Sequence, residues 1–337
     1  MTMRFGAGFP GCREGTAYPV GFVRVRELAA FARRAEHLGY YSIWSNDHLT
    51  TRQGIRLTQA STPNYYEPLV TYASLVNITD RLRFMLSTIV LPQREAVLLA
   101  KQVATLDTLS GGRVMLGVGL GSNREEFEAV HPGLKGAHRG TWVEEGIQGL
   151  RLLFNANPAS FKGRYVHFTG VELAPQPAQS PFPIYIAANT PVGLQRVGRL
   201  GDGLIVAGLS PEQTRRAWAE VRETAEASGR DASLLSLHVQ TWLTFGTSQR
   251  DAEKRALSSQ HLRRTAVESR RTDEDVLANY RASNLLGTPP EIVEQIKSFQ
   301  AIGASHLGIV FVVDKMDELL ADMEVFATEV MQAFETQ

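Results

Sequence analysis

Residues 98–123 read LLAKQVATLDTLSGGRVMLGVGLGSN, and they join a helix, a tight turn and a strand that ends in a glycine-rich loop. Leu98, Leu99, Val103, Leu106 and Leu109 recur at helical spacing, which predicts one apolar helix face. Ser110-Gly111-Gly112 ends the helix, because glycine just past a helix end takes the left-handed conformation that closes the last turn. Residues 113–119 read as a buried strand. Gly119, Gly121, Ser122 and Asn123 follow at its carboxyl end, where folds that wrap helices around parallel strands build their sites. The glycines let backbone approach a flat ligand, and Ser122 and Asn123 can donate hydrogen bonds to it. A tight βα turn with no ligand is the competing reading.

The same alternation extends in both directions. Upstream, strands are predicted over residues 3–9, 40–44 and 83–91, and helices over 24–38 and 67–78. The first helix carries Leu28, Phe31, Ala32, Ala35 and Leu38 on one side and ends at Gly39. Downstream, residues 125–140 read as irregular and 141–154 as a helix. Residues 160–173 alternate aromatic and aliphatic positions around Gly163 and Gly170, the pattern of a small hairpin outside the main repeat. Strands follow over 183–188, 203–207, 235–245 and 306–312, with helices over 191–200, 211–227, 289–302 and 316–334. Residues 250–285 are strongly charged and mostly helical, with few large apolar side chains, and read as an exposed excursion or an oligomer contact. Eight strands that alternate with helices imply parallel strands and crossover helices. That count fits a closed (β/α)8 barrel, a TIM barrel with insertions, as one domain over residues 1–337. A doubly wound open sheet is the alternative.

Bulk properties narrow the class. The 337 residues carry a formal net charge of zero, so there is no electrostatic case for nucleic acid or an anionic membrane surface. The apolar runs fall short of a membrane span. One cysteine, Cys12, precludes an internal disulfide and suits a reducing cytoplasm. No histidine or asparagine motif accompanies it, so it reads as a loop residue rather than a nucleophile. The histidines are scattered without metal-ligand spacing, and no metal is expected.

Five segments, taken together, resemble the bacterial luciferase-like monooxygenase family, which includes deazaflavin-dependent reductases and dehydrogenases. They are LGYYSIWSNDHL (38–49), EPLVTYASLVNITDRLRFMLSTIVLP (67–92), AKQVATLDTLSGGRVMLGVGLGSNREEF (100–127), FKGRYVHFTGVELAPQPAQSPFPIYIAANTPVGLQRVGRLGDGLIV (161–206) and GTPPEIVEQIKSFQAIGASHLGI (287–309). The combination of the LSGGR turn, the GVGLG strand end and the RLGDG segment is specific. The resemblance implies a (β/α)8 barrel that holds reduced flavin mononucleotide (FMN) or coenzyme F420 at the carboxyl ends of its strands. It implies hydride transfer to or from a small organic substrate, or monooxygenation by reduced flavin supplied by a separate flavin reductase. It also implies a homodimer, with residues 67–78 and 100–109 as the helices that could pack twice.

The resemblance assigns residues as follows. His48, after the second strand, matches a histidine near the reactive ring of deazaflavin members, where an imidazole can take or give the proton that accompanies hydride transfer. Asp47 would orient His48 or its loop. Ser87 and Thr88 match a non-proline cis peptide behind the ring. Ser122 stands where some deazaflavin dehydrogenases have a catalytic glutamate, which argues against the sugar-phosphate dehydrogenase members; Glu125 and Glu126 read as caps of the next helix. Ala188, Asn189 and Thr190, before Pro191, match the phosphate-binding helix start, where the family often has paired glycines, and Ala207 and Gly208 would complete the cup. The basic residues expected around a polyglutamate tail are not obvious, which favours FMN. Trp44, His138 and Arg139 are the substrate-contact candidates, with core packing the competing role for Trp44. Three functions therefore stand: an FMN- or F420-dependent oxidoreductase, a non-catalytic flavin-binding relative, and a barrel aldolase or hydrolase. The last lacks a strand-end lysine or a carboxylate–histidine cluster. The loop at 50–66 and the excursion at 250–285 would set the substrate.

Overall fold

The structure, a computed structural model, describes residues 2–51, 55–56, 59 and 61–334. Eight parallel strands form its centre: β1 (Arg4–Gly8), β2 (Ser42–Ser45), β3 (Arg83–Val90), β4 (Val114–Gly119), β7 (Ile184–Ala187), β8 (Gly203–Ala207), β9 (Ser236–Phe245) and β11 (Ala304–Phe311). They pair in the order β11-β1-β2-β3-β4-β7-β8-β9, and β9 pairs back onto β11, which closes the barrel. The closed TIM barrel expected from the alternation is therefore present, and the open sheet is not. The hairpin at 160–173 is also present, as β5 (Ala159–Lys162) antiparallel to β6 (His167–Val171). An additional short strand, β10 (Leu285–Gly287), pairs parallel with the far end of β9 and had no signature of its own in the sequence.

Helices α1 (Val25–His37), α2 (Pro68–Leu75), α3 (Ala96–Ser110), α5 (Arg139–Asn155), α6 (Pro191–Leu200), α7 (Pro211–Ala227), α11 (Pro289–Gln300) and α12 (Met316–Val325) wrap the strands. The last continues through a π turn and a 3-10 turn to Phe334. α1 buries Leu28, Phe31, Ala32 and Ala35 as its spacing predicts. α3 ends on Gly111 at φ 66°, whose N–H bonds the carbonyls of Asp107 and Thr108. Its apolar residues form two stripes rather than the single face expected. Leu99, Val103 and Leu106 are buried with Ala96, Ala100 and Ala104, whereas Leu98 and Leu109 are 57% and 53% exposed. The reason is rotational: Leu98 and Leu109 lie three turns apart on one line, about 100° from the line of Leu99. Residues 125–140 are more regular than expected, because α4 (Arg124–Val130) occupies their first half.

The excursion consists of α8 (Gln249–Ser258), α9 (Gln260–Ser269) and α10 (Asp273–Ser283). Its core is small: Ala252 and Ala256 pack with Leu262, Val276, Tyr280, Leu286 and Val312. Arg264 of α9 donates to the Thr16 carbonyl, which ties the excursion to the loop after β1. The barrel's amino end is plugged by polar side chains. His306 hydrogen-bonds Ser42, His238 hydrogen-bonds Ser236, and their rings lie 5.1 Å apart. Burial pushes His306 down to about 3 and His238 well below its ordinary value, so both are neutral at neutral pH. The candidate site lies at the other end. Among the described residues no helix is long and apolar enough to cross a membrane.

Candidate active site

Two adjoining cavities open at the carboxyl ends of the strands. The larger, about 450 Å³, lies between the ends of β3, β4, β7, β8 and β9. Ser87 and Thr88 line it from β3, in a stretch where the pairing register with β4 shifts and the Ser87–Thr88 peptide is cis. Gly119, Gly121 and Ser122 line it from β4, and Ala188, Asn189, Thr190 and Ala207 from β7 and β8. Small residues make this room. A Cβ on Gly119 would come within 3.0 Å of Thr88 Oγ1, and Gly121 holds φ at +76°, which disfavours other residues. Asn189 Nδ2 donates to the Ala207 carbonyl at 3.0 Å and ties the two strand ends together. Thr190 caps α6, its hydroxyl accepting from Gly193 N.

The smaller cavity, about 200 Å³, lies between the loops after β1, β2 and β4 and helix α9. His48 and Asn123 line it, and Ser122 lines both cavities, so they are neighbours. The His48 Nδ1 lies 3.2 Å from Glu126 Oε2. Glu126 is buried, and its other oxygen accepts from the N–H groups of Leu49 at 2.6 Å and Thr50 at 3.3 Å. Burial works against its charge, but the hydrogen bonds from His48 and the two amides prevail and hold the carboxyl below its ordinary value. An ionised Glu126 fixes the Nδ1–H tautomer and leaves Nε2 of His48 free to accept. Asp47 does not touch His48. It accepts from Val90 N at 3.0 Å and pairs with Arg94, which also pairs with Glu67, and so pins the loop after β2.

A sequence profile of the luciferase-like monooxygenase family matches residues 3–306. The chain belongs to that family. A relative described as an F420-dependent glucose-6-phosphate dehydrogenase, from Amycolatopsis mediterranei, is 29% identical over 84% of this chain and 87% of its own length. The crystal structure of a monooxygenase from Streptomyces bottropensis superposes with a TM-score of 0.81 at 19% identity, over 98% of this chain and 100% of that one. The F420-dependent tetrahydromethanopterin reductase of Methanopyrus kandleri gives 0.77 at 18% identity, over 99% and 100%. At that identity the two structures support the fold alone.

Within this luciferase-like barrel, some residues singled out from sequence lie elsewhere. Gly208 lines a third cavity beneath the excursion, with Trp242 and His261. His138 is exposed and caps α5 by accepting from Thr141 N. Arg139 lines neither cavity. It donates to the carbonyls of Leu120 at 3.1 Å and Gly121 at 2.9 Å, so it props the β4 loop from behind. The Trp44 ring is buried, stacked under the Arg13 guanidinium at 3.8 Å. Three site residues escaped the sequence reading. Glu126 read as a helix cap, since nothing local distinguishes it from Glu125. Gln240 lines the large cavity and donates to Ser87 Oγ; a long amide side chain in the middle of the β9 strand was its available signal. Arg196 lines the same cavity with its side chain 5% exposed and pairs with Glu144 at 3.1 Å. An arginine on the buried side of an amphipathic helix was the signal there.

Proposed function

We propose that this chain is an oxidoreductase that holds reduced FMN or coenzyme F420 in the larger cavity and acts on a small organic substrate in the smaller one, with His48 as the proton-handling catalytic residue. The observation that carries this reading is the His48–Glu126 pair, set beside a glycine- and alanine-lined cavity through the shared Ser122. The residues fit a flat tricyclic ring with a phosphate arm. Gly119, Gly121, Ala188 and Ala207 leave space where side chains would fill it, and the first turn of α6 with Arg196 offers an anion seat. When bound, such a group supplies a hydride or reduces dioxygen. The chain supplies orientation and the proton: Glu126 holds the imidazole, and Nε2 takes or returns a proton at the substrate atom that changes oxidation state. A non-catalytic binding role has no need of a buried carboxylate behind a pocket histidine.

The name of the Amycolatopsis relative supports F420, whereas Arg196 is already matched by Glu144, which leaves little positive charge for a polyglutamate tail and supports FMN. Absorption titration of the apoprotein with each cofactor separates them; failure of both to bind would overturn the reading. His48→Ala is expected to slow single-turnover reaction by roughly 10²–10⁴-fold and to leave cofactor affinity nearly intact. A variant that reacts at the parent rate would remove His48 from the chemistry.

A further inference from the structure

We propose that the substrate of this site carries a carboxylate, or a similar planar oxyanion, that pairs with Arg13 in the smaller cavity. The inference rests on the reading of that cavity as the substrate pocket. Arg13 lines it, yet the residue is only 3% exposed. Its guanidinium stacks on Trp44, which covers one face and leaves the in-plane N–H groups to find acceptors. Nε and Nη2 find none. Those two nitrogens form one edge of the guanidinium fork, the edge that grips a carboxylate with two parallel hydrogen bonds.

The charge is also unbalanced. Among the described residues no carboxylate forms an ion pair with Arg13, and no acidic side chain lines the cavity. The neighbouring Glu14 is turned to the backbone and side chain of Asn64. Burial is the strongest influence on the guanidinium and disfavours its charge. The groups that oppose burial are Cys12, Tyr18 and Tyr72, all held neutral at neutral pH by their own burial. Arginine does not relieve such stress by deprotonating. A buried cation without an anion is destabilising, and the fold keeps it beside the pocket that holds His48. An incoming carboxylate would supply the missing charge and the missing acceptors together. Asn123 and Thr50, on the same walls, offer further donors.

The test is calorimetric titration with benzoate and its neutral analogue benzamide, with hexanoate as a second carboxylate, on apoprotein and on protein loaded with FMN or F420. Benzoate or hexanoate is expected to bind, and benzoate at least about tenfold more tightly than benzamide. Arg13→Met should cost roughly 10- to 100-fold in carboxylate affinity, leave cofactor titrations unchanged, and keep or raise the thermal midpoint of the unliganded protein. Arg13→Lys should retain part of the affinity. Equal binding of benzoate and benzamide, no carboxylate binding below about 10 mM, or a lowered midpoint in Arg13→Met with carboxylate affinity intact would each overturn the proposal. Failure of both cofactors to bind would overturn the functional reading instead and leave the benzoate comparison decisive for Arg13.

Discussion

Glu126 shows how a residue acquires a role through distance rather than through its neighbours in sequence. Two strand–helix units of the barrel separate it from His48, and the fold brings their side chains to 3.2 Å. Its carboxyl titrates below its ordinary value of 4.5 in the folded chain. A lowered carboxyl pKa contributes stability that is complete above the unfolded value and is lost as pH falls through the folded one. Glu126→Gln is therefore expected to be less stable than the parent at pH 7, with the gap narrowing as pH falls below about 4.5. Turnover should fall by about tenfold or more, because the imidazole loses the partner that fixes its tautomer, while cofactor affinity stays near the parent value. Thermal melts across pH and single-turnover rates measure both. A pH-independent stability gap would show that the carboxylate charge is not what matters.

The excursion illustrates what an element needs in order to fold on a barrel. Its charged surface hides a small core in which Ala252 and Ala256 let Leu262, Val276 and Tyr280 pack together, so hydrophobic content alone understates it. It is also linked to α12, where Asp322 of that helix lies 3.6 Å from Arg255 of α8. Burial raises the Asp322 carboxyl to about 6, and Arg255 offsets this only in part. A raised carboxyl pKa destabilises the fold as pH rises through the unfolded value, here about 3.8, and the cost is complete above about 6. Asp322→Asn is expected to raise the thermal midpoint at pH 8 and to leave it nearly unchanged near pH 3.5. A midpoint lowered at pH 8 would mean that the Arg255 contact outweighs the burial of the charge.

At the scale of the whole molecule, closure by the β8–β9 pairing gathers every strand end onto one rim, and the helices present their outer faces to solvent. Several of those faces keep large apolar residues, among them Val70 on α2, 69% exposed, and Leu98 on α3, 57% exposed. α2 and α3 are the helices nominated from the sequence for a homodimer contact, and we propose that contact here, with the second apolar stripe of α3 as part of its surface. Sedimentation is expected to show a dimer at micromolar concentration, and Val70→Lys with Leu98→Lys to yield monomer of unchanged secondary structure. A parent protein that sediments as monomer would end this assignment.

Residue pattern alone settled the alternation of strands and helices, since strand and helix periods, the glycine stop at Gly111 and the strand-end glycines are local signals. Eight such units favoured the barrel, and the β8–β9 and β9–β11 pairings decided for it over an open sheet. These signals together with the family resemblance pointed to the larger cavity, because Gly119, Gly121, Ala188 and Asn189 sit at or just past strand ends, Ser87 and Thr88 lie in the carboxyl half of β3, and strand ends share a rim. Tertiary structure decided what depends on direction and on charge balance. Which way Arg139 points, which of Glu125 and Glu126 reaches His48, and whether Arg13 meets a counter-charge follow from packing between segments tens of residues apart. A residue type specifies what a side chain can bond. Only the folded chain specifies what lies within 3 Å of it, and at this site that difference separates a helix cap from the partner of His48.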